Sequence, residues 1–124
     1  MELLCAVYPV SDLETAAEQY RSIGFRDIAR PDEDALLLSP NEAGHVEVML
    51  IRHPMESKAG AGPVFKLPDV EAFHADNPGL PWLMPPRAIA TGHYALYADP
   101  SGNPVRLVDF TRDSGRYARL FHRR

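Results

Sequence analysis

Tyr97-Ala98-Asp99-Pro100-Ser101-Gly102-Asn103-Pro104-Val105-Arg106-Leu107 is the stretch on which the fold reading turns. Its centre, Asp99 to Asn103, is five residues of turn chemistry: Asp, Ser and Asn fold side chains onto the backbone, Pro presets φ and Gly accepts a left-handed φ. Strand-like runs flank it, Gly92 to Ala98 before and Pro104 to Phe110 after, so the segment reads as a hairpin. Val105 and Leu107 point to one face and Arg106 to the other, the period of a half-buried strand. Upstream, Leu80 to Ala88 is a proline-rich strand, and Asp69 caps a short helix from Val70 to Ala75 that Asn77-Pro78-Gly79 ends. Pro63 to Leu67 is a further strand, so the second half of the chain reads β-α-β-β-β.

The first half has the same order. Leu3 to Val10 is a strand. Ser11-Asp12-Leu13-Glu14 matches a capping box with Ser11 as N-cap, and the helix runs to about Ile23 before Gly24. Phe25 to Arg30, Ala35 to Ser39 and His45 to Arg52 read as three strands, the last alternating Val46, Val48 and Leu50 against His45, Glu47 and Met49. His53 to Gly62 reads as a flexible connection. Two βαβββ modules, about 3–52 and 62–110, imply an α+β domain built by internal duplication.

The 124 residues suffice for one domain with one core. Twelve prolines favour loops and strand ends over long helices. The single cysteine, Cys5, rules out an intrachain disulfide and a zinc site built from cysteines. No apolar run has membrane-spanning length and the N-terminus lacks a signal-peptide pattern, so a cytoplasmic protein is expected. The net charge of −4 is unevenly spread. Five of the 13 basic residues (Arg112, Arg116, Arg119, Arg123, Arg124) follow position 111 with one acid, Asp113, leaving 8 basic and 16 acidic groups before it. Such a body repels nucleic acid and favours cationic small molecules, unless its acids serve only solubility. In the tail, Tyr117, Leu120 and Phe121 form an apolar stripe at helical spacing, suited to packing on the acidic body or on a second subunit.

Two segments carry a family likeness. Val10-Ser11-Asp12-Leu13-Glu14 with Tyr20 and Ile23-Gly24-Phe25 resembles the opening strand and helix of the vicinal-oxygen-chelate superfamily, which contains glyoxalase I, bleomycin-resistance proteins and extradiol dioxygenases. Tyr97 to Leu107 is similar to that superfamily's closing hairpin. The resemblance implies a cupped mixed sheet with helices on the convex face, within a domain of residues 1–111; residues 112–124 follow as a basic tail whose stripe has helical spacing. It also implies four ligand positions in metalloenzyme members, which fall here on Cys5, Glu47, Pro63 and Arg106. Proline has no donor, and an always-positive guanidinium repels a divalent cation. No metal and no cofactor are therefore expected. Val105-Arg106-Leu107-Val108 resembles the last strand of the bleomycin-resistance proteins, implying metal-independent sequestration of a cationic or partly apolar ligand by a homodimer.

Strand alternation, with Val46, Val48, Leu50, Val105 and Leu107 set beneath the helices, places Cys5, Val7, His45, Glu47, Met49, Phe65, His93, Tyr97 and Arg106 in the cup. That assignment turns Tyr94, Leu96 and Ala98 toward the helices and leaves Lys66 uneasily on the helix side. Trp82 and Met84 are candidate walls of the cup or an apolar plug at a subunit contact. Glu47 and Arg106 would meet either as a salt bridge filling a vacated metal site or as contacts to a ligand. His45, Glu47 and His93 could form an unconventional metal site. His93, Tyr97 and Glu47 are the catalytic candidates if the chain is instead an enzyme with an altered or absent metal site. His53, His74 and His122 are expected on loop, helix and tail surfaces.

Overall fold

In a computed structural model, residues 1–42 and 44–121 are described; Ala43 and the tail residues His122, Arg123 and Arg124 lie outside the described residues. The elements are β1 (Glu2–Pro9), α1 (Leu13–Ser22), β2 (Arg26–Asp32), β3 (Ala35–Ser39), β4 (Val48–Ile51), α2 (Pro54–Ala59), β5 (Gly62–Lys66), α3 (Val70–Asp76), β6 (Trp82–Ala88), β7 (His93–Ala98) and β8 (Pro104–Val108), followed by a 3-10 turn at Ala118–Phe121. All eight strands form one curled mixed sheet in the order β2-β3-β4-β1-β5-β8-β7-β6. The order is the same in each half: the first strand of a module pairs parallel with its last, β1 with β4 and β5 with β8. Antiparallel pairing of β1 with β5 joins the halves. Both the α+β class and the paired βαβββ modules read from the sequence are present.

Local chemistry sets the element ends, and corrects some of the expected ones. Asp12, not Ser11, caps α1, its side chain accepting the Thr15 amide at 3.1 Å. Both residues are good N-caps, and the amide three residues on chooses between them. The strand expected from His45 begins only at Val48. Ahead of it, the Glu47 amide reaches Leu38 and the Val46 amide is taken by the carbonyl of Leu120 in the tail. The expected flexible connection contains α2. Pro54 begins it, where a missing amide costs nothing, and the His53 ring nitrogen accepts the Met55 amide at 3.1 Å. Gly60 ends it at φ +94°, a conformation that only glycine adopts without strain.

Three apolar clusters fill the two sides of the sheet. On the convex side, Leu13 and Ala17 of α1 pack on Leu36, Leu38, Val48 and Leu50, and Val70 of α3 packs with Leu67, Ala95 and Leu107. The concave cluster holds Leu4, Cys5, Val7, Val64, Tyr94, Leu96 and Val108. Each fully buried aliphatic side chain contributes about 1.5–3 kcal/mol. Register assigns the faces of β7. Tyr94 lies opposite Val108 and Leu96 opposite Arg106, so both share the concave side, while Ala95 lies opposite Leu107 beneath α3. The expected facing of β7 is thus reversed. The same holds for β5, where Val64 lies opposite Arg106 and Phe65 packs under α3. No helix among the described residues is long and apolar enough to cross a membrane.

Asp109, fully buried just past β8, ties α3 to the sheet. It accepts the amides of Val70 (2.8 Å), His93 (2.9 Å) and Thr111 (3.3 Å) and the Thr111 hydroxyl (2.9 Å). A Cβ on Gly92 would run into its carboxylate, so the approach requires glycine there. Burial pushes the Asp109 carboxyl up, but these hydrogen bonds outweigh it and hold the group below its ordinary value of 3.8. A carboxyl lowered by folding stabilises fully above its unfolded value, and the contribution is lost as pH falls through the folded value. Stability should therefore fall as the solution is acidified below about pH 4, and Asp109→Asn should flatten that slope while lowering stability at neutral pH. Chemical denaturation at stepped pH checks this; an unchanged slope in the variant would contradict it.

Candidate functional site

The concave face encloses a cavity of about 190 Å³. Leu4, Cys5, Met49, Ile51 and Val64 from the central strands form its floor, with Ala35 and Leu37 from β3. A register shift in β1 between Leu3 and Cys5 turns the adjacent residues Leu4 and Cys5 both toward it. Ile89, Phe110, Tyr117 and Phe121 close the other side, so the chain's own C-terminal segment is a wall. The Val46–Leu120 backbone bond (2.9 Å) and the edge-on Phe110–Phe121 contact (6.1 Å between centroids) hold it there. Arg87, Asp32 and Thr91 are the polar residues of the lining besides Tyr94 and Tyr117.

A buried polar cluster abuts the cavity through Tyr94. Arg106, fully buried on β8, donates from Nε to Glu56 Oε1 at 2.8 Å and from Nη2 to the Gly60 carbonyl at 2.6 Å. Glu56, equally buried, accepts the Tyr94 hydroxyl on its other oxygen at 2.7 Å. Burial pushes the Tyr94 phenol well up, with the charge and hydrogen bond of Glu56 adding, so it stays protonated and donates. Among the described residues Arg106 Nη1 has no hydrogen-bond partner, and a Cβ on Gly62 would lie 3.3 Å from it. Glycine at 62 leaves the guanidinium its room.

The donor set that the family resemblance implies for a metal does not fit one. Of its four positions, Pro63 has no donor and Arg106 is already engaged with a carboxylate. Among the described residues no three His, Cys, Asp or Glu side chains converge as ligands would. The expected Glu47–Arg106 encounter is replaced by Glu56–Arg106, because α2 delivers a closer carboxylate. Neither Glu47 nor His45 lines the cavity. His93 lies across the sheet, 3.5 Å from Glu71 and 3.7 Å from Asp109, which separates it from any site with His45 and Glu47.

Of the other candidates, Cys5 and Met49 line the cavity and Arg106 lies beside it in the buried cluster. Phe65, Trp82 and Tyr97 pack on the α3 side, with Trp82 and Tyr97 5.4 Å apart edge-on. That placement removes His93 and Tyr97 as catalytic groups of the cup. Met84, from the neighbouring position on β6, does join the concave cluster. His53 caps α2, and His74 stands edge-on to Trp82 at 4.7 Å. Sequence reasoning missed Glu56 and Tyr94. The signal for Glu56 was present in Pro54 and Gly60, a helix start and stop six residues apart.

No protein-family model matches the chain, and no curated protein matches it significantly. Solved structures do. One is described as an NAD-dependent benzaldehyde dehydrogenase from Legionella pneumophila (16% identity, TM-score 0.66, 86% of this chain and 98% of that one). Another is a glyoxalase/bleomycin resistance protein/dioxygenase superfamily member from Vibrio splendidus 12B01 (17% identity, TM-score 0.58, 85% and 96%). A Mn(II)-bound glyoxalase from Novosphingobium aromaticivorans matches over 87% of this chain but 38% of its own (19% identity, TM-score 0.54). At such identities the likeness is one of fold, the cupped eight-stranded arrangement read above.

Removing one partner of a buried ion pair strands the other charge and costs about 3–5 kcal/mol, whereas replacing both with apolar groups can be neutral. Arg106→Met is therefore expected to destabilise strongly, and Arg106→Met with Glu56→Leu to recover most of the loss. Urea denaturation of the wild type, single and double variants measures this. A double variant less stable than the single one would contradict the pairing.

Proposed function

We propose that the chain is a metal-independent small-molecule-binding protein that sequesters a compact, largely apolar ligand in the cup. The observation that carries the reading is the cavity itself. It is open to a ligand and floored by aliphatic side chains, and the buried charges of Arg106 and Glu56 beside it neutralise one another. An engineered cavity of about 150 Å³ lined by Leu, Ile and Phe takes up benzene. The present volume of about 190 Å³ therefore suits one ring or a short branched chain with a small substituent. The resemblance of Val105-Arg106-Leu107-Val108 to the last strand of the bleomycin-resistance proteins supports sequestration.

Binding would draw on area removed from water, about 25 cal/mol per Å², with Tyr94 and Tyr117 adding ring contacts. Trp82 lies on the opposite face and reports nothing of this cavity. The test is titration of chelator-treated protein with the neutral probe 2-phenylethanol, followed by the amide resonances of Cys5, Val64 and Tyr94. Saturable shifts at one probe per chain are expected, and Met49→Trp, which fills the cavity, should abolish them with the fold intact. Shifts that stay linear, or that survive Met49→Trp, would sink the proposal.

A further inference from the structure

The mouth of the cavity has a charge opposite to that of the body around it. Residues 1–111 carry 8 basic and 16 acidic groups, which taken alone would favour a cation. The groups at the opening differ. Arg87 lines the cavity, is exposed, and lies over the Tyr94 ring at 5.7 Å. The C-terminal wall adds the Arg116 guanidinium and runs the backbone of Arg112 past the lining. Arg112 is held beside the lining residue Thr91 by a 2.8 Å bond from its amide to the Thr91 carbonyl. Arg116 lies over the ring of Tyr117, another lining residue, at 5.2 Å. Among the described residues, none of these three arginines has a carboxylate in ion-pair range.

The acids nearby are engaged by the backbone instead. Asp32, the one acid in the lining, accepts the Asp34 amide at 2.7 Å. Asp113 accepts the amides of Gly115 (3.2 Å), Tyr117 (3.2 Å) and Ala118 (2.9 Å), which builds the turn that carries Arg116. Both carboxylates keep their charge, so the three guanidinium groups outnumber them by one. Arg87 is also oriented by its ring contact, so less freedom is lost when its planar fork meets an anion.

We infer that the ligand is an anionic amphiphile, a compact apolar body bearing a carboxylate, with the body in the cavity and the carboxylate at the mouth on Arg87 and Arg116. The inference rests on the proposed reading of the cup as a ligand cavity and reverses the sign that net charge alone would give. A carboxylate matches the guanidinium fork in two parallel hydrogen bonds, which an amine or alcohol cannot.

Phenylacetate, 2-phenylethanol and phenethylamine share one skeleton and differ in charge, so they separate head group from body. With the wild type at low salt, calorimetric titration should rank phenylacetate first, up to about fivefold tighter than the alcohol, as expected for a charge pair at a partly exposed site. The amine should bind most weakly. Arg87→Gln with Arg116→Gln should bring phenylacetate down to the affinity that the same variant has for the alcohol. Equal binding of all three, tighter binding of the amine, or a phenylacetate preference that survives the double variant would overturn the inference and leave the cavity reading standing. Failure of all three to bind would overturn both.

Discussion

A guanidinium cannot release its proton, so wherever a fold buries one it must also bury a compensating charge. Arg106 sets that requirement here. Its place on β8 is fixed by alternation, because Val105 and Leu107 belong beneath α3 and the residue between them must point into the cup. Once it is there, the chain between the modules is constrained: α2 turns back over the sheet so that Glu56 reaches the guanidinium, and Gly60 presents its carbonyl to the same side chain. Tyr94 then donates to the second oxygen of Glu56. The linker is thereby part of the site, not merely a tether between two halves.

This arrangement decides what the concave face can do. With the charges satisfied among themselves, the remaining floor is aliphatic, and the aromatic C-terminal segment closes it from the side. The fold is shared with proteins of varied chemistry, so likeness of fold does not supply an activity. Any function must rest on the side chains present, which offer an apolar lining and the exposed guanidinium of Arg87. Body charge and local charge differ because most acids lie outside the cavity lining, while Arg87 lies in it and Arg116 stands over the lining residue Tyr117.

Much of the fold was legible in the sequence because it depends on local signals. Turn residues from Asp99 to Asn103, helix caps and period-two strands lie within a few positions of one another, and they sufficed for two βαβββ modules. The site was less legible because it depends on register. On β7 a shift of one residue exchanges Tyr94 for His93 and Tyr97, and nothing local selects between them. The pairing of Tyr94 with Val108 does, and it is a long-range fact. Lys66 was the warning, since a charge assigned to the helix side of β5 conflicted with a buried face, and Lys66 in fact stands over the Phe110 ring at 5.0 Å. Glu56 was hidden for a different reason. Its six-residue helix is too short for a periodic stripe, and its partner lies fifty positions away.

The most direct test of the account is whether divalent metal ions stabilise the folded protein. Thermal unfolding of chelator-treated protein would be followed with increasing Mn²⁺, Fe²⁺, Ni²⁺ or Zn²⁺, since any ion bound only by the native state raises the melting temperature with its concentration. If Arg106 and Glu56 are paired beside the cavity as described, no saturable rise should occur with any of the four. A rise that saturates at one ion per chain, and that Glu56→Gln alters, would contradict the account.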